Sequence, residues 1–315
     1  METAPFFAEV ASAPDGARPF WLRTADGVRI RIAVWETGTR GTAFIFPGRT
    51  EYAEKYGKVA GELAAIGLST VVVDWRGQGL SDRLGRTHSE GHVGDFREFQ
   101  HDVTAMLAAA NDLGLPGPRY AFAHSMGGCI AQRSLMEHPD FAGAVMSAPM
   151  WRLQARTAMR EVQSKVIGFG RVFGLSKTVS PVSTTEPDKA SDAYTGNPLT
   201  SDAELFGWAR AQVAAHPELA LGPPGPSWTR AAIVEMLRLD YRPLPTIPLL
   251  VMVGGGERIV SRSKIRKRAS QWKGARLLEF PDGRHELFLE RHEIQNRIWR
   301  NSEALITDIE TAQSA

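Results

Sequence analysis

The 315-residue sequence predicts an α/β fold, with a doubly wound, mostly parallel sheet and one long helical insertion. Short apolar runs alternate with segments of helical periodicity, and the runs at 69–77, 119–125 and 247–256 are almost continuously apolar. Parallel strands that are covered by helices on both faces have this composition. The alternation stops at Met150 and resumes near Pro243, which predicts the insertion.

Each β-rich run is followed by a turn signal and then, in most cases, by a helical pattern. The predicted strands cover residues 28–36, 42–48, 69–77, 119–125, 142–149, 247–256 and 275–283. The predicted helices between them cover residues 52–66, 96–113, 127–138, 262–272 and 287–311. The run at 28–36 alternates polar and apolar residues, which indicates an antiparallel edge strand.

Residues 1–149 and 243–315 are therefore predicted to form the core, and residues 150–242 a helical lid. Ser201 and Glu204 have the spacing of a capping box that opens one lid helix, and a second helix is predicted at 229–239. Ligands bind at the carboxyl ends of the strands in such folds, so we expect the lid to cover that edge. A helical decoration without a role in binding is the alternative.

Composition excludes several classes of function. A net charge of +2 is close to neutral and does not indicate a nucleic-acid-binding protein. The single cysteine, Cys129, excludes an internal disulfide and is expected to pack as a small buried group. Neither clustered metal ligands nor a dinucleotide fingerprint is present, so no metal or cofactor is expected. The apolar runs are too short for a signal peptide or a membrane span, which predicts a cytoplasmic protein. A peripheral contact with the inner membrane face stays open.

Ser125 stands where an apolar run changes abruptly into a helical pattern, and Ala123, Gly127 and Gly128 flank it. A serine in a sharp strand-to-helix turn with small neighbours matches the G-x-S-x-G nucleophile elbow, with alanine for the first glycine. The elbow exposes the hydroxyl and places the amide N–H of Met126 beside it. Taken alone, the segment is also typical of a glycine-rich turn in any strand–helix unit.

A serine hydroxyl needs a base to take its proton, and the base needs a carboxylate that holds its tautomer. Folds with this elbow supply them in the order serine, acid, histidine. His285 follows the last predicted strand and is the predicted base, while Glu257 follows an apolar strand and three glycines and is the predicted acid. Asp282 and Asp240 compete with it, the first as a turn former and the second at the end of a lid helix.

The second half of an oxyanion hole is expected from the loop after the strand at 42–48. The backbone N–H groups of Arg49 and Met126 are predicted to point at the developing oxyanion. A surface ion pair of the Arg49 side chain is compatible with that role.

These motifs resemble those of the α/β-hydrolase serine hydrolases of the monoacylglycerol lipase and bacterial lysophospholipase group. The group's H-G-x-x-E-x-x-x-R-Y motif is matched at Gly48, Glu51 and Tyr56, with Pro47 for the histidine and Lys55 for the arginine. Its D-x-R-G-x-G-x-S motif is matched at Asp74, Arg76, Gly77, Gly79 and Ser81, its elbow from His124 to Gly128, and its R-H-E loop at Arg284, His285 and Glu286. Glutamate replaces the more usual aspartate as the acid.

The resemblance implies a cofactor-free serine hydrolase that cleaves carboxylic esters of lipid type, such as lysophospholipids or monoacylglycerols, through an acyl-enzyme. A thioesterase, a small-ester carboxylesterase, a proline-type aminopeptidase and an acyltransferase use the same triad and stay open. A ligand receptor without turnover is the alternative from another class.

The substrate's acyl chain is expected in an apolar tunnel under the lid. Apolar residues at the lid's start cluster there, and the predicted substrate contacts are Met150, Trp151, Phe169 and Phe173. For any one of these residues, packing of the lid onto the core is the alternative.

Overall fold

A computed structural model describes residues 1–154 and 194–314 of the chain. Within these ranges nine strands form one sheet, in the order β1-β2-β3-β5-β4-β6-β7-β8-β9. The strands are β1 (Glu2–Thr3), β2 (Arg18–Arg23), β3 (Arg29–Trp35), β4 (Thr42–Phe46), β5 (Ser69–Asp74), β6 (Arg119–His124), β7 (Phe141–Ser147), β8 (Leu249–Gly254) and β9 (Ala275–Phe280). All the predicted strands are present, and β4 to β9 pair in parallel, so the predicted fold class is confirmed.

The strand β3 differs from the prediction in one respect. It runs antiparallel to β5, as expected, but it does not form the edge of the sheet. The strand β2 pairs antiparallel along its other side and β1 pairs with β2, so two strands extend the sheet beyond it. The sequence of β2 begins with Arg-Pro and shows no clear alternation, because an outer strand buries little of either face.

Helices cover both faces of the sheet within the described residues. They are α1 (Ala8–Ala11), α2 (Gly57–Ala65), α3 (Phe99–Asp112), α4 (Met126–Glu137), α5 (Ala203–Ala215), α6 (Pro226–Asp240), α7 (Arg262–Gln271) and α8 (His292–Ser314). The sheet has a hydrophobic core on each face, and alternate residues of β4 pack into one or the other. Phe44 packs in the core with α3, α4, α6 and α7, and Ile45 packs in the core with α2 and α8. This two-residue period is what a strand buried on both faces produces.

Between β7 and β8 the structure describes α5 and α6. The division into a core and a lid at residues 150–242 stays a prediction. The predicted capping box is wrong: α5 begins at Ala203, and its N-cap Asp202 accepts a hydrogen bond from the N–H of Leu205. The hydroxyl of Ser201 donates instead to Glu290, because tertiary contact with the loop before α8 outweighs the local cap. The helix α6 packs Trp228 into the main core beside Phe96. No helix in the described ranges is both long enough and apolar enough to cross a bilayer.

Candidate active site

The backbone of Ser125 adopts a conformation that serine rarely takes. It lies between β6 and α4 with φ +49° and ψ −115°, in the region that costs an L-residue strain. Its carbonyl oxygen accepts from the N–H groups of Gly128 and Met150, at 2.9 and 2.8 Å, which holds the turn. A Cβ at Gly127 would lie 1.9 Å from the carbonyl oxygen of Phe46, so a glycine is required there. The small residues identified in the sequence thus let α4 pass close to β4.

The structure brings three of the predicted site residues together. The Oγ of Ser125 lies 2.9 Å from Nε2 of His285, and Nδ1 of His285 lies 2.6 Å from Oε2 of Glu257. All three side chains are buried. A Cβ at Gly254 would lie 2.3 Å from the carbonyl oxygen of Gly283, so a glycine lets the end of β8, just before Glu257, pack against the histidine loop (residues 281–286).

The competing carboxylates lie elsewhere. Asp282 is exposed to solvent, and Asp240 forms ion pairs with Lys264 and Arg152, with N–O distances of 2.6 and 3.0 Å. The second oxygen of Glu257, Oε1, accepts from two backbone N–H groups of its own loop. The carboxylate is therefore held in place by the loop N–H groups at Oε1 and by the imidazole of His285 at Oε2.

Electrostatics favour the ionised acid and a basic imidazole. Burial disfavours the charged form of His285 most strongly, but the charge and hydrogen bond of Glu257 outweigh it and raise the pKa of His285 above 6.5. Burial likewise opposes ionisation of Glu257, yet the imidazole and the loop N–H groups hold its pKa below the ordinary value. The pair is thus poised for proton transfer from Ser125.

A second histidine, His124, packs edge-to-face against His285 with ring centroids 4.7 Å apart. Burial lowers the pKa of His124 to about 4, so its ring is neutral at physiological pH. Its Nδ1 lies 3.2 Å from the carbonyl oxygen of Ser147. His124 therefore packs against His285 as a neutral ring and does not place a positive charge beside it.

Buried ion pairs connect the loop after β4 to the histidine loop. The carboxylate of Glu51 accepts from the N–H of Gly48 and from the hydroxyl of Tyr56, and it also binds Lys55 at 3.0 Å. The same Lys55 ammonium binds Glu286, at 2.7 Å. The sequence matched these positions to a motif but could not show this link, because Lys55 and Glu286 are 231 residues apart.

The same cluster is where the described residues could hold a metal ion. Glu51, His124 and Glu286 offer ligand atoms that lie within 4.8 Å of one another. The ammonium of Lys55 already bridges the two carboxylates and supplies the positive charge that a cation would bring. Burial raises the pKa of Glu51, but Lys55, His124 and Tyr56 outweigh it and lower that pKa to about 2. The cluster fits a structural ion-pair network better than a metal site.

The described parts of the insertion touch both loops of the site. The guanidinium of Arg49 donates to the carbonyl oxygen of Gly222 at 2.7 Å and lies 5.3 Å from the ring centroid of Trp228 on α6. The N–H of Glu286 donates to the carbonyl oxygen of Leu199 at 2.7 Å. The side chain of Arg49 thus joins the oxyanion loop (residues 47–50) to residues between β7 and β8.

The predicted substrate contacts are only partly within the described residues. Met150 is buried next to the elbow, and its N–H donates to Ser125. The ring of Trp151 stacks on Trp272 with a centroid distance of 6.3 Å, so its observed contacts are with the core. Phe169 and Phe173 lie outside the described residues. Substrate contact by these four residues stays a prediction.

The sheet order, the strained elbow and the contacts of Ser125, His285 and Glu257 define an α/β-hydrolase. A family model described as serine aminopeptidase, S33, matches residues 37–292, and the chain belongs to that family.

Two relatives of the chain carry the names of lipid-ester enzymes. Lysophospholipase L2 of Escherichia coli is 38% identical over 116 residues, an alignment that spans 36% of this chain and 33% of that protein. The monoglyceride lipase of Homo sapiens is 28% identical over 251 residues, which cover 76% of this chain and 73% of that protein. The predicted resemblance to this group is confirmed.

A solved structure of a lipase has a similar fold. A soluble variant of the monoglyceride lipase from Saccharomyces cerevisiae superposes with a TM-score of 0.70 at 18% identity. The superposition covers 91% of this chain and 94% of that chain. The fold is thus one that a known lipase also adopts.

Proposed function

We propose that this protein is a serine hydrolase that cleaves carboxylic esters of lipid type, with lysophospholipids and monoacylglycerols as substrates. The observation that carries the proposal is the chain of hydrogen bonds from Ser125 through His285 to Glu257. The lysophospholipase and monoglyceride lipase relatives support the substrate class. Because the E. coli alignment spans a third of that relative, its activity is an analogy here.

The proposed mechanism assigns a role to each of these residues. Ser125 attacks the acyl carbonyl while His285 takes the hydroxyl proton through Nε2, and His285 then gives it to the leaving alcohol. Glu257 holds the imidazole and stabilises its positive charge. The backbone N–H groups of Arg49 and Met126 bind the oxyanion, aided by the positive N-terminal end of α4. Water then attacks the acyl-enzyme, with His285 as the base.

The name of the family raises aminopeptidase activity as a second candidate. An aminopeptidase needs a carboxylate available to the free amine of its substrate. The buried carboxylates described around the triad are engaged, since Glu51 and Glu286 bind Lys55 and Glu257 binds His285. None of these three carboxylates is therefore available to a free amine.

Comparing kcat/KM across substrate classes decides among the enzymes that share this triad. We expect kcat/KM to be higher for lysophospholipid and monoacylglycerol than for an acyl-CoA thioester or an aminoacyl anilide. A higher value for the anilide would instead identify an aminopeptidase, and a higher value for the thioester a thioesterase. Transfer of the acyl group to an added alcohol in preference to water would identify an acyltransferase. Tight binding without turnover of any of these would identify a receptor.

Acyl length is expected to control the rate. For p-nitrophenyl esters below the micelle limit, kcat/KM should rise steeply from acetyl to octanoyl or decanoyl. Each methylene buried in an apolar tunnel contributes about 0.8 kcal/mol, or about fourfold in binding. A flat or falling series would remove the lipid substrate and leave a small-ester hydrolase.

The pH dependence of kcat/KM is expected to fall on the acid side through a pKa above 6.5, the ordinary value for histidine. Protonated His285 cannot accept the proton of Ser125, so activity is lost as the pH drops through this pKa. In Glu257→Gln the acid limb should move to lower pH. Burial lowers the pKa of His285, and in this variant no carboxylate charge opposes that effect. An unshifted acid limb in that variant would argue against Glu257 as the partner of His285.

The cytoplasmic location and the peripheral contact with the inner membrane face stay predictions, and both are compatible with a lipid substrate. The lid role of residues 150–242 is likewise part of the proposal. Its support is the contact of Arg49 with Gly222 and of Glu286 with Leu199.

A further inference from the structure

The loop that carries the D-x-R-G-x-G-x-S motif (residues 74–82, the motif loop) lies against the oxyanion loop. The indole N–H of Trp75 donates to the carbonyl oxygen of Pro47 at 3.0 Å. The side chain of Gln78 binds further along the same loop. It is buried, with an exposed fraction of 3%. The motif loop therefore holds the oxyanion loop through side chains.

Gln78 binds the backbone on both sides of Arg49. Its Oε1 accepts from the N–H of Thr50 at 2.8 Å, and its Nε2 lies 3.4 Å from the carbonyl oxygen of Gly48, to which it donates. Thr50 has φ +69°, a left-handed conformation that is unfavourable for a β-branched residue. A backbone strained in this way persists only where its surroundings hold it. Gln78 supplies that restraint directly next to the predicted oxyanion donor.

Gln78 is itself held in place. Its backbone N–H donates to the carbonyl oxygen of Trp75 at 2.9 Å. The guanidinium of Arg83 donates to the carbonyl oxygens of Gly77 and Gly79, at 3.0 and 2.6 Å, on either side of Gln78. A group that positions another backbone must be rigid itself, and these bonds provide that rigidity.

We propose that Gln78 is a positioning residue that aims the N–H of Arg49 at the oxyanion. The inference rests on the proposed serine hydrolase function. One amide side chain both accepts from Thr50 and donates to Gly48, so neither a carboxylate nor an apolar chain of the same length replaces it. Donors of this kind act by preorganisation, and displacement of about 1 Å is costly in rate.

The test compares Gln78→Met with wild type on a water-soluble p-nitrophenyl ester. We expect kcat to fall about 10- to 100-fold, with KM within about threefold, because substrate binding precedes the development of the oxyanion. Affinity for an alkyl boronic acid, which forms a tetrahedral adduct with Ser125, should fall by a similar factor. A role in stability alone would not lower boronate affinity while KM is preserved.

Gln100→Met is the matched control. The side chain of Gln100 also makes two hydrogen bonds, from α3 to α4. Its Nε2 donates to the carbonyl oxygen of Ile130 at 3.4 Å, and its Oε1 accepts from the hydroxyl of Ser134 at 2.9 Å. This variant loses a comparable pair of hydrogen bonds away from the oxyanion loop. Its kcat and boronate affinity should stay within about twofold of wild type.

Gln78→Glu is a second variant, whose side chain has the same shape as glutamine. It replaces Gln78→Met in the test if that variant fails to fold. The ionised carboxylate still accepts from Thr50 but cannot donate to Gly48, and its charge opposes the oxyanion. The ratio of its kcat to that of wild type should therefore rise as the pH falls and the carboxyl is protonated.

Two outcomes separate this inference from the proposed function. If wild type hydrolyses the ester and a fluorophosphonate labels Ser125, but folded Gln78 variants match it in kcat and boronate affinity, the inference is wrong. If wild type neither hydrolyses the ester nor is labelled, the proposed function itself fails.

Discussion

Replacing Ser125 with alanine is expected to lower kcat for a medium-chain ester by about 10⁶-fold, as in other serine hydrolases that lose the nucleophile. The hydroxyl lies 2.9 Å from Nε2 of His285, so its removal deletes the group that forms the acyl-enzyme. The smaller alanine still fits the elbow, and the variant should stay folded. A chromogenic ester assay measures the effect directly.

Ser227→Ala is a matched control for this experiment. The hydroxyl of Ser227 also contacts a histidine, with Oγ 2.9 Å from Nδ1 of His92, but it lies on α6 and not at the elbow. Its activity should stay near that of wild type. A fluorophosphonate probe should label wild type and Ser227→Ala, and not Ser125→Ala. Turnover of Ser125→Ala within tenfold of wild type would refute the nucleophile.

Changing Glu257 to glutamine is expected to cost about 10⁴ in kcat, by analogy with the loss of the triad aspartate's charge in serine proteases. The amide removes the negative charge that stabilises protonated His285 and lets the imidazole adopt the wrong tautomer. The shape of the side chain is retained, and one oxygen is left to accept from the N–H of Ile259. The effect should therefore fall on kcat more than on folding, which a thermal melt checks.

Asp282→Asn provides the comparison, because Asp282 competes with Glu257 in sequence and stands three residues before His285. Its side chain is exposed, so the loss of its charge should leave kcat within about twofold of wild type. An inactive Asp282→Asn together with an active Glu257→Gln would reverse the assignment.

Local patterns in the sequence predicted most of the fold and the nucleophile. Buried parallel strands are nearly continuous apolar runs, and a strand-to-helix turn at Ser125 needs small residues on both sides. Both signals come from neighbouring residues, so they are readable without the fold. The order of Ser125, Glu257 and His285 added a topological constraint that reduced the candidates for base and acid.

Features that depend on residues far apart in the chain were decided only by the tertiary structure. The outer strands β1 and β2 carry weak local signals, and pairing with β3 is what makes them strands. The N-cap of α5 is Asp202 and not the predicted Ser201, because the hydroxyl of Ser201 donates to Glu290. In each case a distant partner outweighs the local preference.

The sequence by itself determined the α/β architecture, the elbow at Ser125 and the candidates for base and acid, because chain order and periodicity encode them. Only the tertiary structure placed Glu257, and not Asp282, against His285, and brought Lys55 to Glu286 and Gln78 to the oxyanion loop. The reason is physical: hydrogen bonds and buried ion pairs depend on distances of about 3 Å, and residue spacing along the chain does not define such distances between separate loops.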